Sequence, residues 1–302
     1  MFKPFGLLLH QPLGDIPMIK NIDYFINYFL SEDSSSLSNQ IQSLIFHDCF
    51  YRTFNYGLKI EIKKNNYQPS FFLELFHNDY FLRQAADLRK FYEYPSRDKR
   101  KKTYSILTVI QEIKNNYRLF TFSNYLNLPI QNSDKFKFTT EIRNWYNNKR
   151  TTTFKLLSQN KNPQLVDTIS LSLLEEIEIH ITKTKKKLDY HLNKFWLHCS
   201  DPNTRDNPSI AKRLLTLNYL QNLLKTAVWS IKTLSKYFDI LVLCEMPTFT
   251  YDPLIGCNIV FSRSTLRKCK RFFSQRKRLY KSWSQQYSKD ELIYTNLRTY
   301  KT

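Results

Sequence analysis

The side chains best suited to hold a metal ion lie in one short stretch, where His191, His198 and Cys199 fall close together. Imidazole nitrogen and thiolate sulfur are ligands that Zn²⁺ prefers. The two histidines are seven residues apart, which places them near one face of a helix. A structural zinc site needs a fourth ligand, and none follows at a suitable spacing. We therefore predict no metal site and no cofactor, and interpret these histidines as ordinary surface or capped side chains.

Residues that could serve a nuclease are also scattered. The chain has six histidines but no His-x-His pair, the arrangement on which metal-dependent relaxation nucleases depend. Three carboxylates lie close together at Glu175, Glu176 and Glu178, but on a helix they point to different faces. We interpret them as solvated charges. The catalytic residues are thus unknown, and the sequence leaves open whether the protein is an enzyme.

Cations with a spacing suited to a polyanion occur between Arg263 and Lys281. Ser264 or Thr265 could cap a helix here, and Leu266 to Trp283 supplies a rough apolar face. Like charges at i, i+4 repel each other on an isolated helix, and phosphates would relieve that repulsion while releasing counterions. We predict that this helix, from about Thr265 to Tyr287, binds nucleic acid through Arg263, Arg267, Lys268, Lys270, Arg271, Arg276, Lys277, Arg278 and Lys281. The alternatives for the same helix are a solvated face without a partner and contact with an anionic membrane surface.

The charge of the whole chain agrees with such a partner. There are 46 basic and 26 acidic residues, a net charge of +20, and half of that excess lies in the last 40 residues, from Arg263 to Thr302. RNA, DNA and anionic membrane surfaces would all attract this charge. A second basic segment, Arg97 to Lys102, is either a solvated loop or a further phosphate contact.

The composition argues against several other classes of function. Only four glycines occur, too few for a phosphate-cradling loop or a dinucleotide fingerprint, which argues against a nucleotide-dependent enzyme. The five cysteines are far apart and show no zinc-ribbon or redox spacing. No run of about 18 apolar residues and no secretory signal is visible, so we expect a cytoplasmic protein without a transmembrane segment.

The apolar periodicity predicts a helix-dominated α+β fold in two parts. Residues 1–200 form a mostly helical domain with a minor strand at Leu58–Ile62, where apolar and polar residues alternate. Its helices are predicted at Tyr24–Leu30, Ile41–Phe50, Phe71–Phe91, Thr139–Tyr146 and about Thr168–His198, although Ile177–Ile181 also alternates like a strand.

The second part follows a polar, proline-punctuated linker at Asp201–Pro208. Residues 209–302 are predicted to form a small strand-plus-helix unit. Its first helix is capped by Ser209 and carries an inward leucine stripe, and the apolar run Asp239–Met246 is typical of a buried strand. The basic helix comes next, so this unit is the candidate nucleic-acid-binding region.

The order of elements in this second part resembles a known family. A helix ends at Leu234–Phe238, the strand Asp239–Leu243 follows, and Lys270–Phe273 reads Lys-Arg-Phe-Phe at the start of a basic helix. This order is similar to the inovirus replication-protein family with its YfjJ-type C-terminal domain. The resemblance covers about residues 220–302, and the Gly-rich, His-containing strand of the family has no counterpart here. It implies DNA rather than RNA as the partner, and a role in replication of a phage or other mobile element.

The sequence is therefore compatible with three hypotheses about function. The first is a basic DNA-binding protein, and the second is a divergent nuclease or nicking enzyme whose site comes from distant residues. The third is a non-enzymatic interaction protein whose basic helix docks on an acidic partner. The sequence does not determine the oligomeric state.

Overall fold

Long helices packed around one central helix dominate the computed structural model. It describes residues 25–31, 35–66, 71–95, 104–128, 139–192, 215–242, 244–247, 249 and 252–286. A helical segment at 25–30 is followed by α1 (Leu37–Asn65), α2 (Phe71–Phe91), α3 (Ile106–Asn115), α4 (Phe122–Leu126), α5 (Thr140–Ser158), α6 (Leu171–His191), α7 (Leu217–Ser235) and α8 (Arg263–Gln286).

Most of these helices begin at a serine or threonine. The side-chain oxygen of the capping residue accepts a hydrogen bond from the backbone N–H three residues later, which satisfies one of the unpaired donors of the first turn. Side chains in this role are Ser36, Ser105, Thr121, Thr139, Ser170 and Thr216. Local sequence thus defines where these helices begin.

The central helix is α7, which packs against α1, α2, α3, α6 and α8. Its leucine stripe points inward as the sequence predicts, with Leu220, Leu224 and Leu234 fully buried. Burial extends to its other faces, including Ser230 and Thr233. One apolar core surrounds it and receives side chains from Phe25 through Trp283.

The α+β prediction is wrong for the part of the chain that the structure describes, which contains helices and an isolated bridge between Thr121 and Thr168 but no strand. Leu58–Ile62 lies inside α1. Its five alternating residues are outweighed by the apolar positions Leu37, Ile41 and Leu44, whose helical spacing sets the conformation of the whole segment.

The predicted strand Asp239–Met246 is irregular in its described residues, so there is no C-terminal strand-plus-helix unit there. Ile240, Val242 and Cys244 are nevertheless buried, while Leu241 is 68% exposed. The apolar run is thus buried as expected, but against helices. A strand also needs a neighbouring strand to pair with, and the described residues provide none.

Several predicted features fall outside the described residues. They are the linker Asp201–Pro208, the cap Ser209, the basic segment Arg97–Lys102, and the pair His198 and Cys199. The helices on the two sides of the linker share the core described above. The division into domains at 1–200 and 209–302 stays a prediction.

Candidate nucleic-acid interface

The basic helix α8 is held against α1 along most of its length, and its N-terminus is capped by that neighbour. Glu61 of α1 accepts a hydrogen bond from the backbone N–H of Ser262 at 2.8 Å. Hydrogen bonds from Ser262 and Thr265 lower the pKa of the Glu61 carboxyl to about 2. A carboxylate at a helix N-terminus also interacts favourably with the helix dipole. The end of α1 therefore fixes the start of α8.

The two helices approach closely at Gly57. A Cβ atom at this position would lie 2.7 Å from Cys269 Sγ and 2.8 Å from Cζ of Phe261. Farther along the contact, Tyr56 of α1 stacks on Phe272 of α8 with ring centroids 4.7 Å apart. Glycine in α1 thus lets the inner face of α8 pack directly on the helix backbone.

A buried carboxylate fixes the other half of α8. Asp48 of α1 is fully buried and accepts hydrogen bonds from Arg52 at 2.9 Å, from the Tyr80 hydroxyl at 2.7 Å and from Arg276 at 2.8 Å. The Tyr280 hydroxyl is its fourth donor. We call this group, Asp48 with Arg52, Tyr80, Arg276 and Tyr280, the Asp48 cluster.

The Asp48 cluster joins four helices. Arg52 also donates to the carbonyl of Leu217, at 2.6 Å, and Arg276 donates to Gln221, at 2.9 Å, so both arginines link Asp48 to α7. Burial and the charge of Asp48 raise the pKa of the Tyr280 hydroxyl. Since four donors occupy the carboxylate oxygens, Asp48 has little capacity left to act as a base. We interpret the cluster as structural.

Arg276 therefore differs from the other predicted nucleic-acid contacts, because it turns inward to Asp48. The sequence places it in the basic run, where it resembles its neighbours. Its partner lies 228 residues away along the chain, so the spacing of residues within α8 could not predict that pairing. One signal did exist in α1: Asp48 occurs among the core positions Leu44, Ile45 and Cys49, where a carboxylate needs partners.

The outer face of α8 is cationic. The helix contains no acidic residue. At 100° per residue, seven of its cations fall within an arc of about 120°, and from Arg263 to Lys281 they span about 27 Å. We call them the cationic stripe. All seven are exposed: Arg263, Arg267, Lys270, Arg271, Lys277, Arg278 and Lys281.

Few cations of the stripe are paired with an acid in the described structure. Lys270 lies at its edge and forms a salt bridge with the exposed Asp252, with Nζ and Oδ2 2.7 Å apart. For the other six cations, the described part of the chain shows no salt bridge. Lys268, the remaining predicted contact, is exposed but lies about 60° outside the arc of the stripe, on the side of Phe272.

The other residues that the sequence suggests for a metal or catalytic site do not form one in the described structure. His191 is buried in α6, and Glu178 pairs with Lys114 at 2.6 Å. Among the described residues, no group of three His, Cys, Asp or Glu side chains could hold a metal ion. None of the helices described combines the length and apolar character needed to cross a lipid bilayer.

An open groove lies between the end of α2 and α6. Its lining includes Tyr94, Glu178, Lys183, Lys186 and Asp189. Two acids and two lysines leave it without a net charge that would select an anion or a cation. Among the described residues, the cationic stripe is thus the surface with the clearest preference for one class of partner.

Comparison of the chain with protein-family models, with curated proteins and with solved structures finds no match. The resemblance to inovirus replication proteins stays a prediction.

Proposed function

We propose that the protein binds DNA through the cationic stripe of α8. The observation that carries this proposal is the separation of roles on one helix. Its inner face is fixed by Glu61, Gly57 and the Asp48 cluster, while its outer face presents seven exposed cations and no acid. A rigid row of exposed cations gains free energy by releasing the counterions of a polyanion.

The dimensions favour duplex DNA as that polyanion. A stripe of about 27 Å matches about eight base pairs at 3.4 Å each. The major groove of B-DNA admits an α-helix, whereas the major groove of an RNA duplex is too narrow and deep for side chains to enter. Seven aligned cations can follow the phosphates at the edge of such a groove.

The test is the salt dependence of binding. Fluorescence anisotropy of a labelled 24-base-pair duplex is measured from low to high salt for the wild type and for Arg267→Gln/Arg271→Gln/Arg278→Gln. Each lost phosphate contact lowers the slope of log K against log salt by about 0.9, so the triple variant should lose about 3 units of slope and at least about tenfold in affinity.

A matched control removes the same charge elsewhere. Lys155, Lys161 and Lys186 are exposed and lie outside α8, so their replacement by glutamine should leave the slope nearly unchanged. Equal losses in both triple variants would mean that net charge alone drives binding. No binding of the wild type at low salt would refute the proposal.

A narrower proposal is a role in replication of a phage or other mobile element, and it rests on the resemblance of residues 220–302 alone. Fragmented DNA of the host and its mobile elements can be incubated with the protein and the bound fraction sequenced. Enrichment of replication origins of such elements would support this role. Uniform recovery of all fragments would contradict it.

A further inference from the structure

The loop that precedes α8 is firmly anchored on one side. Leu254, Cys257 and Phe261 are buried in a small cluster with Cys269 of α8, and Phe261 packs on the ring of Phe54 in α1. Gly256 adopts φ +86°, a conformation that L side chains rarely adopt, and so allows the tight turn. The loop is therefore built to hold a defined shape.

Its other side presents large aliphatic groups to solvent. Ile255 is 74% exposed, Ile259 is 87% exposed and Val260 is 51% exposed. A single exposed aliphatic side chain is ordinary, but three within six residues form a patch. We call these three residues the aliphatic tip.

The tip lies at the N-terminal end of the cationic stripe. Val260 comes three residues before Arg263, the first cation of the stripe. The salt bridge between Asp252 and Lys270 ties the other end of the loop to the edge of the stripe. A polyanion that lies along the stripe and continues past Arg263 would therefore come close to this loop.

From this arrangement, and resting on the proposed function, we infer that the aliphatic tip inserts between neighbouring bases of the DNA bound to the stripe. Phosphates and sugars offer little apolar surface to an isoleucine, but the faces of unstacked bases do. Apolar wedges next to phosphate-binding cations open a base step and kink the duplex. The favoured ligand is then a duplex with a weakened step, because less stacking and pairing must be broken.

The experiment uses the full chain and two 16-base-pair duplexes. One is fully paired, and the other has a central T·T mismatch next to 2-aminopurine, whose fluorescence rises when it unstacks. The wild type should bind the mismatched duplex about five- to tenfold more tightly and increase its fluorescence. Ile255→Ser/Ile259→Ser should lose both effects yet keep the salt slope, since the stripe is unchanged.

The control variant Leu165→Ser/Val166→Ser removes exposed aliphatic groups from the connection between α5 and α6, where the side chains are 59% and 80% exposed. It should behave like the wild type. Binding of both duplexes with equal affinity and no change in fluorescence would overturn the inference but leave the proposed function standing. Failure to bind either duplex at low salt would contradict both the inference and the proposed function.

Vesicles that contain phosphatidylserine test the other anionic partner of such a surface. The inference requires that the Ile255→Ser/Ile259→Ser change affects the mismatch preference. If the change weakens vesicle binding and leaves the mismatch preference intact, the tip contacts lipid and the inference is wrong.

Discussion

Asp48 is a buried carboxylate that links α8 to the rest of the core. Its buried carboxylate carries one negative charge, and two arginines and two tyrosine hydroxyls converge on it from three helices. Asp48→Asn removes the charge and leaves Arg52 and Arg276 without their counter-ion, with side chains only 12% and 11% exposed. Breaking a buried ion pair from one side should lower the free energy of unfolding by about 3 kcal/mol, measured by urea denaturation.

The exposed salt bridge at the edge of the stripe supplies the comparison. Asp252→Asn breaks an ion pair whose two side chains are 52% and 42% exposed, so the loss should be under about 1 kcal/mol. Similar losses in the free energy of unfolding in both variants would show that the buried position of Asp48 adds nothing to the strength of its ion pairs.

The contribution of Glu61 to stability should depend on pH. The pKa of Glu61 falls from the ordinary 4.5 to about 2 in the folded protein, so the unfolded chain binds its proton first as the pH drops. The stabilisation by this carboxylate is full above pH 4.5 and is lost as the pH falls toward 2. Glu61→Gln should therefore unfold at a lower urea concentration than the wild type at pH 7, and the gap should narrow at pH 3.

If the wild type and Glu61→Gln differed by the same amount at both pH values, the charge of Glu61 would not stabilise the N-terminus of α8.

The cations of α8 could be identified from the sequence because charge runs are local. Arg271 and Arg278 are exposed, as the spacing predicts. The inward turn of Arg276 could not be predicted, since its partner Asp48 comes from a helix far away in the chain. The aliphatic tip was also missed, because the exposure of Ile255 and Ile259 follows from how Leu254, Cys257 and Phe261 pack.

At the scale of elements, the contact between α1 and α8 depends on a missing side chain. Gly57→Ala would favour the helical conformation of α1 by about 1 kcal/mol, but its Cβ would collide with Cys269 Sγ and the Phe261 ring. Overpacking typically costs 1–3 kcal/mol, so we expect a net loss of about 1 kcal/mol in urea denaturation.

A double variant separates the collision from other causes. In a Cys269→Ala background the sulfur is absent, so Gly57→Ala should cost less than it does in the wild type. A cost that is unchanged would place the strain at Phe261 or elsewhere.

Elements differ in how far sequence determines them. The helix predicted at Phe71–Phe91 has those bounds in the structure, because its apolar periodicity extends over many turns. The error at Leu58–Ile62 arose because five alternating residues are compatible with both a strand and a helix. The segment lies near the C-terminal end of α1 and adopts the conformation of that helix. For Asp239–Met246 the burial of Ile240 and Val242 followed from composition, but strand formation depends on distant pairing partners.

For the whole molecule, the common core predicts one cooperative unfolding transition of the helices. Side chains of α7 contact helices from both ends of the chain, and the core that surrounds them includes Trp229 and Trp283. The Asp48 cluster adds polar links between α1, α2, α7 and α8. Loss of α8 would therefore uncover apolar surface and leave Asp48 with two of its four donors.

Urea denaturation of the full chain can measure this coupling through two signals. Far-UV circular dichroism reports all helices, and tryptophan fluorescence reports the core around Trp229 and Trp283 together with Trp145 and Trp196. The Trp145→Phe/Trp196→Phe variant confines the fluorescence to the core. Since α7 and α8 share that core with α1 and α2, the two transitions should coincide. If the fluorescence changed at a lower urea concentration than the dichroism, α7 and α8 would unfold while the earlier helices stayed folded, and the sequence-based division near Asp201–Pro208 would describe two independent folding units.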